Sequence, residues 1–240
     1  MNKISVDLSG TVAIITGAGR GIGRATAIRL GKAGATVVLA ARTESDLNES
    51  AQQVQTAGGR AVVIPTDVTD EASVQNLIDN TISECGQINL LFNNAGVAPL
   101  AKVDEMPVEV FDNNINANIR SVYLCSRAAW PHLAASKGAI INTASVAAFD
   151  AFPGFAAYGA AKAFVVAFTK FLAREGADQN IRVNCVAPGA VETGMLRGAF
   201  PDFPQDATLD PDEIAKMVAI LASDAALYSS GQTITVSKSI

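Results

Sequence analysis

The chain holds one histidine in 240 residues, His132. With a single imidazole, neither a Ser-His-Asp relay nor a histidine-rich metal site can be assembled. His132 follows Trp130-Pro131 near a predicted helix end and reads as structural. Cysteine is scarce as well. Cys85, Cys125 and Cys185 stand far apart in apolar surroundings with no metal-ligand spacing, so they read as reduced, buried small hydrophobes and no metal is expected. Charged residues make up only 17% of the chain and the net charge is −5. There is no basic cluster and no interleaving of basic and aromatic residues, which argues against nucleic acid as the main partner. Such low charge also points to surface buried against other subunits. Unbroken apolar runs are missing too. The most apolar long window, residues 144–168, is interrupted by Asp150, Pro153-Gly154 and Lys162, so it is not expected to span a membrane. Residues 1–10 are short and mixed in polarity, without a secretory pattern. The expectation is a globular, cytoplasmic protein long enough to bury a substantial core, with no membrane contact.

What is present is alternation. Short apolar runs rich in β-branched residues occur at 11–16, 35–40, 60–65, 88–93, 139–144, 181–186 and 232–236. Between them lie helical patterns at 22–32, 45–56, 71–84, 108–133 (one long helix or two abutting), from Tyr158 to Gly176, and at 211–223. Asp210 is the expected N-cap of the last, with Pro211 at its first position. Strand–helix alternation with short connections predicts βαβ units, hence an α/β fold with a doubly wound, mostly parallel seven-stranded sheet and helices on both faces. No linker or low-complexity stretch divides residues 1–240, which read as one domain. The irregular stretch 188–208, with three prolines, is long for a compact domain and is expected to be functional, its part from about 190 to 208 forming a substrate loop.

Several short motifs carry chemistry. Thr16-Gly-Ala-Gly-Arg-Gly-Ile-Gly23 joins a strand to a helix, the context a phosphate-binding turn requires. Its glycines are spaced G-x3-G-x-G. After the second strand come Ala40-Ala41-Arg42, with no acid at Ala40 or Ala41 to meet a ribose 2′-hydroxyl. Arg42, helped by Arg20, could instead meet a 2′-phosphate; otherwise both are solvated surface charges. Asp67-Val68 follows the third strand and suits either an adenine amino group or a simple helix cap. Asn93-Asn-Ala-Gly96 ends the fourth strand, where small residues permit close backbone approach. Tyr158 and Lys162 lie one helical turn apart, so the cation is expected to lower the phenol's pKa and tune it for proton transfer near neutral pH. Ser145 closes the fifth strand.

Together these residues resemble the short-chain dehydrogenase/reductase family, in its single-domain form with a Rossmann fold. The resemblance runs from the first strand to Val236. It implies a catalytic tetrad of Asn118, Ser145, Tyr158 and Lys162, with Asn114 and Asn116 as nearby competitors for the asparagine. Ser145 and Tyr158 would hydrogen-bond a substrate carbonyl, with Tyr158 giving the proton as hydride arrives. Lys162 would hold the nicotinamide ribose, and Asn118 would hold a water connecting Lys162 to solvent. Cofactor contacts are implied at Gly17, Arg20, Gly21, Ile22, Gly23, Arg42, Asp67, Val68, Asn94, Ala95, Gly96, Tyr158, Lys162, Pro188, Gly189, Val191 and Thr193, the last to the nicotinamide carboxamide. The family's frequent Asp-Gly-Gly after the last strand is replaced here by Val236-Ser-Lys-Ser-Ile240, so no tail contacts are carried over.

These readings converge on an oxidoreductase that moves hydride between NADP(H), preferred over NAD(H), and a ketone/secondary alcohol pair. Expected pocket walls are Val97, Phe149, Phe152, Met195, Leu196, Phe200 and Phe203, with Arg197 the one charge, which favours apolar or aromatic substrates. A 3-oxoacyl-[acyl-carrier-protein] reductase is the alternative enzyme. A non-catalytic dinucleotide sensor is the alternative of another class. Phe164, Phe168 and Phe171 make the Tyr158 helix apolar on more than one face, so a homotetramer or homodimer is expected.

Overall fold

A computed structural model describes residues 6–238. Seven strands form one sheet: β1 (Val12–Thr16), β2 (Thr36–Ala41), β3 (Arg60–Pro65), β4 (Leu90–Asn93), β5 (Ala139–Thr143), β6 (Arg182–Pro188) and β7 (Thr233–Val236). All adjacent pairs are parallel, in the order β3-β2-β1-β4-β5-β6-β7. The order reverses between β1 and β4, and the crevice at such a switch point, beyond the carboxyl ends of the strands, is where ligands bind in this architecture.

Both faces of the central strands are buried, which is why β1, β4 and β5 read as continuous apolar runs. Strand residues of one parity, among them Ile15, Leu39 and Phe92, pack on α1 (Gly21–Lys32), α2 (Glu44–Thr56) and α8 (Pro211–Ala222). Residues of the other parity, such as Ile14, Val38 and Leu91, pack on α3 (Glu71–Cys85), α5 (Ser121–Ser136) and α6 (Ala156–Glu175). Caps fix the helix ends. Asp70 accepts from Ser73 N at 2.7 Å to start α3, and Gly86 ends it at φ +78°. Asp210 accepts from Asp212 N at 2.8 Å, with Pro211 in the first turn, as the sequence predicts.

Two expectations need correction and others gain detail. Residues 108–133 are helical throughout, as expected, but α4 (Val108–Ile115) runs into α5 through a π turn, Asn116–Arg120, and α5 continues through Pro131 and His132 to Ser136. The helix of Tyr158 starts two residues earlier, at Ala156. The stretch 188–208 is not wholly irregular, since it carries α7 (Gly194–Ala199), capped by Thr193, whose Oγ1 accepts from Leu196 N. By length and composition alone α6, which starts after the Pro153-Gly154 break of the window 144–168, is long and apolar enough to cross a membrane, a test that a core helix also meets. Here one of its faces, with Val165, Thr169 and Leu172, is buried against the sheet. The last two residues of the chain, part of the tail, lie outside the described residues.

Candidate active site

The turn after β1 is built from backbone. Gly17 and Gly21 sit at φ +67° and +54°, where a side chain would be strained. Gly23 lies beneath the turn: a Cβ there would collide with the Gly17 carbonyl and stand 2.8 Å from Asn94 Nδ2. Thr16 Oγ1 accepts from the Asn94 and Ala95 amides at 2.9 and 3.0 Å, and Asn94 Nδ2 donates to Thr16 O at 3.0 Å. Asn93 Nδ2 donates to Asn142 Oδ1 at 2.9 Å, bracing β4 on β5. Arg24, which the sequence reading passed over, holds the turn from below by donating to Gly19 O and to Ser50 Oγ. The signal for it was available: a cation in the first turn of a helix is unfavourable unless it has a specific partner.

One cleft collects Gly17, Arg20, Gly21 and Ile22 from this turn, Arg42 from the end of β2, Asp67 and Val68 from β3, Asn94, Ala95 and Gly96 from β4, and Thr193. With left-handed glycines, the start of α1 free of acidic residues and two arginines, it fits an anionic dinucleotide. Asp67 accepts from Thr69 N and Oγ1 at 2.9 and 2.7 Å, bonds that hold its carboxyl below the usual range. It thus forms the turn before α3, while the cap itself is Asp70. Pro188, Gly189 and Val191 do not line this cleft. Pro188 pairs with Val236, Gly189 N donates to Val236 O at 2.9 Å, and Val191 is buried. Asp46 does line it, packed on Gly19, and was missed because it lies inside α2 rather than at the strand end.

Ser145, Tyr158 and Lys162 come together at the carboxyl end of β5. Ser145 caps a short turn, Val146–Ala148, its Oγ accepting from Ala147 N at 3.2 Å. Gly159 lets α6 approach that turn: a Cβ on it would stand 2.7 Å from the Ala147 carbonyl. Tyr158 is thereby placed beside Ser145. Lys162 is buried, donates to Thr143 O at 2.8 Å, and has Nζ 5.7 Å from the centroid of the Tyr158 ring. Burial lowers its pKa to about 8. The expected effect on Tyr158 is corrected. Burial raises the phenol, and Ser145, not Lys162, is what pulls it down. Proximity along one helix face did not reveal that both groups leave water, which disfavours the charged form of each.

Asn118 is buried in the π turn. Its Nδ2 donates to Val97 O and Asn114 Oδ1, both at 2.8 Å, and its Oδ1 accepts from Val97 N at 3.3 Å. Its side chain thus braces the loop at Val97 against α4. A Cβ on Gly96 would run into Asn118 Oδ1 and stand 3.6 Å from Lys162 Nζ, so glycine is what allows the two to flank it.

The cleft opens into a cavity of about 500 Å³ lined by Arg20, Gly96, Val97, Ala98, Leu100 and Met195, so its one charge is Arg20 and not the expected Arg197. Phe155, not among the expected walls, stands 5.3 Å from Tyr158 and 5.6 Å from Phe200, and Phe203 follows at 6.4 Å from Phe200. Phe149 and Phe152 are exposed, and of the expected walls only Val97 and Met195 line this cavity; Leu196, Phe200 and Phe203, like Phe155, do not. Arg197 is tied to Glu192 through two bonds of 2.8 and 2.5 Å and donates to Phe203 O at 2.6 Å, so the loop's one cation is held by the loop itself.

Residues 11–203 match the family profile for short chain dehydrogenase. The chain is 33% identical to a 3-oxoacyl-[acyl-carrier-protein] reductase of Thermotoga maritima, over 95% of this chain and 97% of that protein. It is 38% identical to a cis-4-hydroxycyclohexanecarboxylate dehydrogenase of Sinomonas cyclohexanicum, over 94% of each. A solved 7α-hydroxysteroid dehydrogenase, complexed with NADH and 7-oxo glycochenodeoxycholic acid, superposes with a TM-score of 0.93 at 33% identity, over 99% of this chain and 96% of that one. Profile, relatives and fold agree with the glycine turn and the Tyr158–Lys162 helix: the chain belongs to the short-chain dehydrogenase/reductase family and is an NAD(P)-dependent enzyme.

Proposed function

We propose that residues 1–240 act as one cytoplasmic dinucleotide-binding and catalytic domain that interconverts an apolar or aromatic ketone and its secondary alcohol, with NADP(H) preferred. The observation that carries this is the placement of Tyr158 beside both Ser145 and buried Lys162, with the dinucleotide cleft and the cavity meeting at Gly96. The bound cofactor supplies or accepts the hydride. Ser145 and Tyr158 hydrogen-bond the substrate oxygen, and Tyr158 delivers or takes the proton. Lys162, fixed by Thr143, orients the ribose hydroxyls, and Asn118, across Gly96 from that amine, holds the water that links it to solvent.

The walls support the substrate class. Val97, Ala98, Leu100 and Met195 give the cavity an apolar wall, Phe155 and Phe200 stand together beside Tyr158, and Arg197 is neutralised by Glu192, which leaves Arg20 of the glycine turn, shared with the dinucleotide cleft, as the cavity's cation. The Thermotoga relative's name favours an acyl-carrier reductase as the second reading, but that acidic carrier needs a basic landing surface, which the engaged Arg197 does not provide. A sensor has no need of the four polar groups together. Tyr158→Phe tests the reading. Turnover falls at least about 100-fold, the scale of general acid catalysis, while cofactor binding measured by nucleotide fluorescence persists. Near-normal turnover would refute it. A panel of aryl ketones, alkyl ketones, polyols and keto acids, followed by absorbance of the reduced cofactor, tests the substrate class.

A further inference from the structure

One polar side chain of α4 is completely buried: Asn114. An apolar residue would fill that place without the penalty of burying an amide, so its bonds are informative. Asn114 Nδ2 donates to the Ala157 carbonyl at 3.0 Å, and Asn114 Oδ1 accepts from Asn118 Nδ2 at 2.8 Å. Ala157 immediately precedes Tyr158 in the first turn of α6, and Asn118 grips Val97 through both its backbone groups. A chain of hydrogen bonds therefore runs from the loop after β4, through Asn118 and Asn114, to the residue that carries Tyr158 forward.

A second observation shows why α6 needs this bond. Helix starts fray unless capped, because their first amides lack intrahelical partners. Phe155, at the N-cap of α6, makes no side-chain cap, so the turn bearing Tyr158 begins without the usual restraint. Asn114 donates to a carbonyl and so caps none of those amides, but it tethers that uncapped turn to α4. A reacting group displaced by a fraction of an ångström loses much of its advantage.

We propose that Asn114 is a positioning residue: it anchors the first turn of α6 to the Asn118–Val97 brace and so sets where the Tyr158 hydroxyl stands. This rests on the reading of Tyr158 as the proton donor. The test is a double-mutant cycle. Asn114→Leu removes both bonds at similar volume. Expected is a fall in kcat of about 10-fold with cofactor affinity unchanged. In a Tyr158→Phe background, assayed at high enzyme concentration, the same substitution leaves the residual turnover unchanged, because no hydroxyl remains to misplace. Should Asn114→Leu fail to fold by circular dichroism, Asn114→Asp keeps the acceptor for Asn118 and removes the donor to Ala157, and the same cycle is read. Wild-type turnover in the Asn114 variant, or an equal loss in both backgrounds, overturns the inference while Tyr158→Phe alone stays crippled. Near-normal turnover of Tyr158→Phe overturns the parent reading, and this one with it.

Discussion

Lys162 donates to the Thr143 carbonyl at 2.8 Å, joining the second turn of α6 to the last residue of β5. The bond holds an amine out of water, and burial lowers its pKa from 10.5 to about 8. Between those values the unfolded chain binds a proton that the folded chain does not. Stability owed to this group therefore rises as pH climbs through the window and is lost as pH falls towards 8. Carrying the charge below that point costs on the order of 3 kcal/mol. Urea unfolding of the wild type and of Lys162→Met at several pH values reads the effect as a difference. The wild type gains on the variant across the window; parallel curves would show an amine that titrates as in water.

The phenol sets a second pH dependence. Burial raises Tyr158 and the Ser145 contact opposes it, so the hydroxyl stays protonated through neutrality. Protonated tyrosine donates, so at saturating substrate carbonyl reduction is level between about pH 6 and 8, while alcohol oxidation, which needs the phenolate, climbs over the same range. Ser145→Ala removes the opposing contact, lowers turnover and moves the rise in oxidation to higher pH. A flat oxidation profile in the wild type would show that the phenol does not limit that direction.

Much of this was legible because it is periodic or compositional. Alternation predicts all seven strands and their parallel pairing, though not their order; Asp210-Pro211 marks a helix start to the residue. The glycine turn, Arg42 and the Tyr158–Lys162 pair fall where their neighbours along the chain require. What the sequence withheld depends on the third dimension. The π turn around Asn118 leaves no compositional trace, since Asn116-Ala-Asn-Ile-Arg120 is unremarkable for an α-helix. Arg197 looks like a pocket charge until its partner five residues back, Glu192, is seen to hold it. The rise in Tyr158's pKa comes from burial, which a helix-face argument cannot supply.

The outer face of α6 carries a third prediction. Phe171 is 67% exposed, and Phe164, stacked on Phe168 at 5.2 Å, is also open. Covering one phenylalanine is worth about 1.5–3 kcal/mol, so two copies of this helix packed face to face gain from both. We expect light scattering to give an even multiple of the 24.8 kDa chain at micromolar protein. Phe171→Asp shifts the mass downward while Tyr158 chemistry survives in the smaller species. A wild-type mass of one chain rules the assembly out.

Cofactor choice turns on charges around one corner of the cleft. Arg20 and Arg42 line it, Ala41 offers no acid at the strand end, and Asp46 adds one negative charge from α2. A ribose 2′-phosphate meeting a guanidinium gains a charge-assisted bond of about 1.5–3 kcal/mol, or roughly 10–100-fold in affinity. Asp46 works against it, so Asp46→Asn raises the ratio of kcat/KM for NADPH over NADH. Ala41→Asp with Arg42→Ala reverses that ratio, because the new acid accepts from a 2′-hydroxyl and repels a phosphate. Added salt weakens the wild-type preference by screening the exposed arginines. The comparison is made on one good ketone, all variants in the same buffer. If the wild type uses NADH as well as NADPH, Arg42 serves Asp67, whose carboxyl its charge helps hold down, and not the cofactor.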